Sequence, residues 1–257
     1  MATTSITVQE TPLLRFILAR ADDALILGHR LSEWTGRAPM LEEELALANI
    51  GLDLIGQARA LYQYAASCDD AGHDEDGYAF LRDPPQYRNV LLVEQPNGDF
   101  AHTIVRQVLY STFADPYWRA MMHSTDPTLA AIAGKSEKES AYHLRHSAEW
   151  LIRLGDGTDE SHLRTQAALD ALWPYAGELF DPGTDLPGIT PGVTIEPASL
   201  RAGWDRTMDD LLAQATLTRP ATTWVQRGGR AGRHTEHLGH LLATMQHIPR
   251  SFPGATW

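Results

Sequence analysis

From Pro12 to Gly155 apolar residues recur three and four positions apart through four long runs, and nowhere does the chain alternate apolar with polar residues as a half-buried strand would. A chain patterned in this way has to bury helical stripes against one another, so the expected class is all-α.

Local signals bound the runs. Pro12 after Thr11 opens the first, in which Leu14, Ile17, Leu18, Ala21, Leu25, Gly28 and Leu31 keep helical spacing until Gly36. The second opens at Pro39, carries Glu42, Glu43 and Glu44 against its N-terminal dipole, and runs to about Ser67. Its apolar seam is Leu41, Leu45, Ala48, Leu52, Ile55 and Tyr62. The third begins near Asn97 with Phe100, Ile104, Val108 and Phe113 inward, and Pro116 is expected to kink or interrupt it. The fourth starts at Asp126-Pro127, an N-cap followed by a first-turn proline, and reaches Gly155. A helix of about 25 residues is roughly 38 Å long, which suits a long antiparallel four-helix bundle over residues 11–155.

Residues 156–257 are expected to pack further helices and loops on that bundle within one domain, and residues 1–11 to form a flexible N-terminus. Thr158 caps a fifth helix to about Phe180, broken or bent at Pro174, and the proline-rich stretch 181–197 is irregular. A sixth helix carries Leu200, Trp204, Leu211 and Leu212. A Gly/Arg-rich loop over Arg219 to Arg233 precedes a last helix, capped by Thr235, with Leu238, Leu241, Leu242, Met245 and Ile248.

Composition narrows the function classes. The net charge of -12 opposes binding to nucleic-acid phosphates, and no apolar run is long enough to span a bilayer. One cysteine, Cys68, excludes an internal disulfide framework and has no basic neighbour in sequence to activate it. Met1 to Glu10 lack a signal-peptide pattern, so the expected location is cytoplasmic. Neither a phosphate-binding glycine motif nor a nucleophile elbow is present.

A four-helix bundle can house a di-iron carboxylate site, built from a Glu on each of two helices and a Glu-x-x-His on each of the other two. No Glu in this chain is followed by His three positions later. The nearest substitute is Glu139 and His143, with Tyr142 where the motif's His would stand; such pairs also occur as ordinary side-chain contacts. Asn49, Asp53 and Gln57 form a polar stripe on the second helix, and a buried Asp53 would need a partner such as Arg30, Arg59 or Arg106. Asp99-x-x-His102 places a carboxylate and a histidine three apart near a helix start, where Asp is also a common first-turn residue. His234, His237 and His240, with Glu236 among them, raise a metal alternative, although one helix cannot close a tetrahedral site unaided. Arg227, Arg230 and Arg233, interleaved with glycines, are candidates for holding a phosphorylated ligand or an acidic partner; the competing reading is a solvated loop.

Several long blocks are idiosyncratic: LALANIGLDLIGQAR at Leu45 to Arg59, LLVEQPNGDFAHTIVRQ at Leu91 to Gln107, EKESAYHLRHSAEWLIRLGDGT at Glu137 to Thr158, HTEHLGHLLATMQ at His234 to Gln246, and PGATW at Pro253 to Trp257. In these the chain, from Leu13 onward, resembles the C-subunit family of phenylacetyl-CoA 1,2-epoxidases, the ring 1,2-phenylacetyl-CoA monooxygenases. The resemblance implies a ferritin-like, non-catalytic structural subunit with no cofactor of its own and no catalytic residue. It also implies a stable complex with a di-iron catalytic subunit, further small subunits, and a reductase carrying electrons from NADPH through flavin and iron–sulfur groups. That complex would epoxidise phenylacetyl-CoA with dioxygen in aerobic phenylacetate degradation. The alternative is a ferritin-like oxidoreductase binding its own metal through Asp53, Glu139 and His143, or through His237 and His240.

Overall fold

The computed structural model describes residues 5–181 and 188–255. Among these residues ten α-helices follow in chain order: α1 Pro12–Ser32, α2 Leu41–Ser67, α3 Glu75–Phe80, α4 Leu91–Glu94, α5 Phe100–Met121, α6 Pro127–Gly155, α7 Asp159–Ala176, α8 Arg201–Gln214, α9 Glu236–Met245 and α10 His247–Ser251. Among the described residues there is no strand, and no helix is long and apolar enough to cross a membrane.

Three of the expected starts are made by the expected residues. The Thr11 hydroxyl accepts from the Leu14 N–H at 3.2 Å. Asp126 accepts from the N–H groups of Thr128 and Leu129 at 2.9 and 3.0 Å, and Thr158 accepts from Ser161 at 3.2 Å. Each satisfies amide donors that the first helical turn leaves without partners. Thr235 departs from this pattern: its N–H and its hydroxyl both donate to Glu94, at 2.7 and 2.8 Å, so it anchors α9 to α4 rather than capping α9.

Four long helices form the bundle. α1 pairs with α2 and α5 with α6, each across a short turn, while α2 meets α6 and α1 faces α5. Every neighbouring pair is antiparallel. One long crossover, from the end of α2 to α5, runs along α1 by way of α3 and α4, meeting Asp22, Asp23 and Arg30 in turn, which is the connectivity of ferritin-like folds. At the α1–α2 crossing a Cβ on Gly28 would lie 3.0 Å from the Gly51 carbonyl, and one on Gly51 3.3 Å from the Gly28 carbonyl. The two backbones approach this closely only because neither residue has a side chain.

Three local expectations are corrected. Pro116 does not interrupt α5, and Pro174 does not break α7, which ends two residues later and passes into a 3-10 turn at Gly177–Phe180. Packing holds α5 through the missing hydrogen bond, because most of its surroundings are protein. The expected inward seam of α2 faces outward: Leu41, Leu45, Leu52 and Ile55 are exposed, and Leu47, Ile50, Leu54, Ala58 and Leu61, on the opposite side, enter the core with Tyr62. Within the N-terminal stretch, residues 6–10 are also tied down. Ile6 N–H donates to Leu81 O at 3.0 Å, Glu10 pairs with Arg88 at 3.0 Å, and Ile6 and Val8 pack on the core.

The remaining elements cover the bundle unevenly. α7 and α8 lie on α5 and α6, and α4, α9 and the glycine-rich turn at Gly229–Ala231 lie over α1. Nothing among the described residues covers the outer face of α2.

Candidate functional site

The place to look for ferritin-like chemistry is the interior between the four helices, and on the α2–α6 side it holds a ladder of polar rungs. Glu43 meets His146 Nε2 at 2.9 Å, Asp53 meets His143 Nε2 at 3.1 Å, and Gln57 Nε2 donates to Glu139 Oε2 at 2.9 Å. The Tyr64 hydroxyl donates to Asp126, which also caps α6. Lys135 reaches Glu139 at 3.5 Å from the solvent side. The antiparallel packing sets these rungs, since each step down α2 is a step up α6.

Asp53, Glu139 and His143 therefore lie on one seam, but as parts of separate pairs. Asp53, whose side chain is 36% exposed, is on the rim with its imidazole partner; none of Arg30, Arg59 and Arg106 reaches it. Asn49 is exposed, so the polar stripe does not enter the interior as a whole. Glu139 takes its hydrogen bond from an amide, and Gln57 offers no ligand charge in return. The inward face of α6 reads Leu129, Ala133, Ser136, Ser140, His143, Ser147 and Leu151. His143 stands at an inward position, and three residues before it the chain has Ser140 where a Glu-x-x-His would carry its carboxylate. Among the described residues no three His, Cys, Asp or Glu side chains are placed to share a metal ion.

The histidines of the C-terminal segment do not converge. Both ring nitrogens of His234 face acceptors, Glu94 at 2.8 Å and the Tyr87 carbonyl at 3.0 Å, and the ring is buried. His237 is half-buried and His240 is exposed on α9. Asp99 caps α5, accepting from the His102 N–H at 2.9 Å and from its ring nitrogen at 2.9 Å.

The three arginines of the glycine-rich loop have separate surroundings. Arg230 is turned into the protein, where it holds both oxygens of Asp23 at 2.9 and 2.7 Å and donates to the carbonyls of Ala19 and Arg88. With its terminal nitrogens so occupied and its side chain only 9% exposed, it is withdrawn from any phosphate at the surface. Arg227 pairs with Asp181, and Arg233 is exposed. The interleaved glycines have a packing reason: a Cβ on Gly229 would fall 2.0 Å from the Asn89 carbonyl, and one on Gly232 2.2 Å from that of Pro85.

Sequence reasoning missed the largest polar constellation, which is buried around the middle of α1. Asp22 is fully enclosed and bonded to Arg82, to the Tyr62 hydroxyl at 2.5 Å and to the Arg88 N–H at 2.7 Å. Burial pushes the Tyr62 phenol well up, and the Asp22 carboxylate adds to the shift. Glu178 accepts from the N–H groups of Leu91 and Gly228 at 2.8 Å each, joining the crossover to the glycine-rich loop. Arg106 donates to the Gln95 carbonyl and to Asn97, both at 2.6 Å; burial and the neighbouring Arg30 bring its guanidinium down to about 9. The network binds connections to helices.

These features define an all-α, ferritin-like bundle protein whose inward carboxylates and histidines are engaged in pairs. The model of the phenylacetic acid catabolic protein family matches residues 1–257, and the chain belongs to that family. It is 47% identical over 246 residues to the C subunit of 1,2-phenylacetyl-CoA epoxidase from Escherichia coli (strain K12), covering 95% of this chain and 99% of the relative. The resemblance carried by the sequence blocks is thereby shown, and the family match also takes in the first twelve residues.

Proposed function

We propose that this chain is the structural, non-catalytic subunit of a phenylacetyl-CoA epoxidase complex in aerobic phenylacetate degradation. It supports a di-iron catalytic subunit and itself holds neither iron nor substrate. The observation that carries this reading is Ser140 three residues ahead of the inward His143, together with Gln57 opposite Glu139. A hydroxyl and a neutral amide stand where an iron centre needs carboxylates. The bundle keeps the shape of an iron-binding relative and uses its polar interior to tie α2 to α6. The oxygen chemistry then belongs to the catalytic subunit, and electrons from NADPH enter through a separate reductase. A place in the cytoplasm fits that chemistry.

The test is turnover of the reconstituted complex with Glu139→Ala or His143→Ala in this chain, assembly being verified by co-purification. Turnover close to wild type supports a supporting role. Loss of turnover in a normally assembled complex would make this seam a catalytic or metal-holding site.

A further inference from the structure

The outer face of α2 is patterned for a helix that none of the described residues supplies. Leu41, Leu45, Ala48, Leu52 and Ile55 succeed one another at alternating four- and three-residue steps, the a/d spacing of a coiled-coil seam, and Arg59 continues the line. The stripe lies opposite the core-facing residues of the same helix. Leu41 is 70% exposed, Leu52 66% and Leu45 59%. Isolated exposed leucines need no explanation, but a continuous seam over several turns marks an interaction surface.

We propose that this face pairs with the same face of a second copy, α2 against α2 in antiparallel register about a two-fold axis. The charges along the seam are self-complementary in that arrangement. Glu42 and Glu44 flank its N-terminal end, and Arg59, with a side chain 68% exposed, closes its C-terminal end. The Arg59 Nε donates to Glu75 at 3.3 Å. Parallel pairing would set like ends against each other. Antiparallel pairing sets Leu45 of each copy against Ile55 of the other and Ala48 against Leu52, and it brings Glu42 and Glu44 of each copy to Arg59 of the other. Both charge contacts are thus made twice by one symmetry operation, and the two helix dipoles run oppositely. Because the additional helices cover α1, α5 and part of α6, a dimer built on α2 leaves those other sides for different subunits. The pairing does not depend on which complex the chain enters.

Sedimentation velocity on the purified full-length chain tests the proposal. Wild type should be a dimer that dissociates on dilution. Leu52→Glu, at an exposed position, should give a monomer with unchanged helical circular dichroism. Arg59→Glu should weaken pairing about tenfold or more, and adding Glu42→Arg and Glu44→Arg to it should restore pairing. That rescue separates a specific charge contact from a folding defect. Wild type that stays monomeric up to about 100 μM, or a dimer that survives Leu52→Glu, overturns the proposal. So does a self-monomeric chain whose Leu52→Glu variant fails to capture the catalytic subunit, since the face would then belong to that partner.

Discussion

The α1–α5 pair and the α2–α6 pair are built on different rules although all four helices belong to one bundle. In α1, 15 of 21 residues are buried, and in α5, 17 of 22; in α2 the figure is 10 of 27 and in α6, 8 of 29. The first pair is wrapped on nearly every side by the crossover and the C-terminal elements, so its charged residues are satisfied inside the protein. The second pair keeps a ladder of rungs toward the interior and presents its other face outward. The difference teaches where this fold spends polar residues: on one side they fix connections, and on the other they join two helices, one of which, α2, keeps its outer face uncovered among the described residues.

The comparison breaks most sharply at Asp22. Arg82→Met should leave the Asp22 carboxylate enclosed without its guanidinium partner and cost about 3–5 kcal/mol of stability in denaturant titration. A loss near that of a surface pair, below about 1 kcal/mol, would mean that the α1 interior is wet and that the two pairs do not differ. Glycine substitutions give the next contrast. Gly28→Val has no room at the α1–α2 crossing and should destabilise by about 1–3 kcal/mol. Gly56→Ala, whose added methyl would meet only the Lys135 ammonium at 3.8 Å, should stabilise by roughly 0.5–1 kcal/mol. Opposite signs at the two sites would sharpen the distinction, and equal losses would remove it. On the ladder, Glu139→Ala gives up one hydrogen bond at a partly solvated position and should cost about 0.5–1.5 kcal/mol in the same titration.

The smallest effect is a pH dependence from His29 at the end of α1. Burial holds its ring below the usual histidine range, with Glu33 opposing and Arg30 adding to the shift, and its Nδ1 is buried without a partner. The folded chain thus keeps His29 neutral where the unfolded chain takes up a proton. Its contribution to stability is fully present above the unfolded value of 6.5 and is lost as the pH falls below it toward the folded value. His29→Gln should flatten the stability difference between about pH 7.5 and pH 5.5. An unchanged slope would place the acid sensitivity elsewhere.

Part of this organisation was legible in the chain. Thr11-Pro12, Asp126-Pro127 and Thr158 mark helix starts because capping is a local contact between a side chain and amides two or three residues on. The missing Glu-x-x-His was equally plain, being a matter of spacing alone. The direction of the α2 stripe was not, because a heptad of leucines looks the same whether it meets the chain's own core or another protein. Asp22, Asp23 and Arg20 were not legible either: three charged residues within one turn read as a solvated face, and only distant segments, Arg82 and Arg230, turn that face into an interior. His146 lacked any sequence mark, since its partner Glu43 belongs to the other helix of the ladder.

The most direct test of the proposed packing role is the metal content of this chain, measured by elemental analysis after purification alone and after co-expression with the proposed catalytic subunit. A packing subunit should carry no stoichiometric iron alone, and the complex should carry only the iron of the catalytic partner. Stoichiometric iron in the isolated chain, lost on Glu139→Ala or His143→Ala, would contradict that role and give the α2–α6 seam a metal centre of its own.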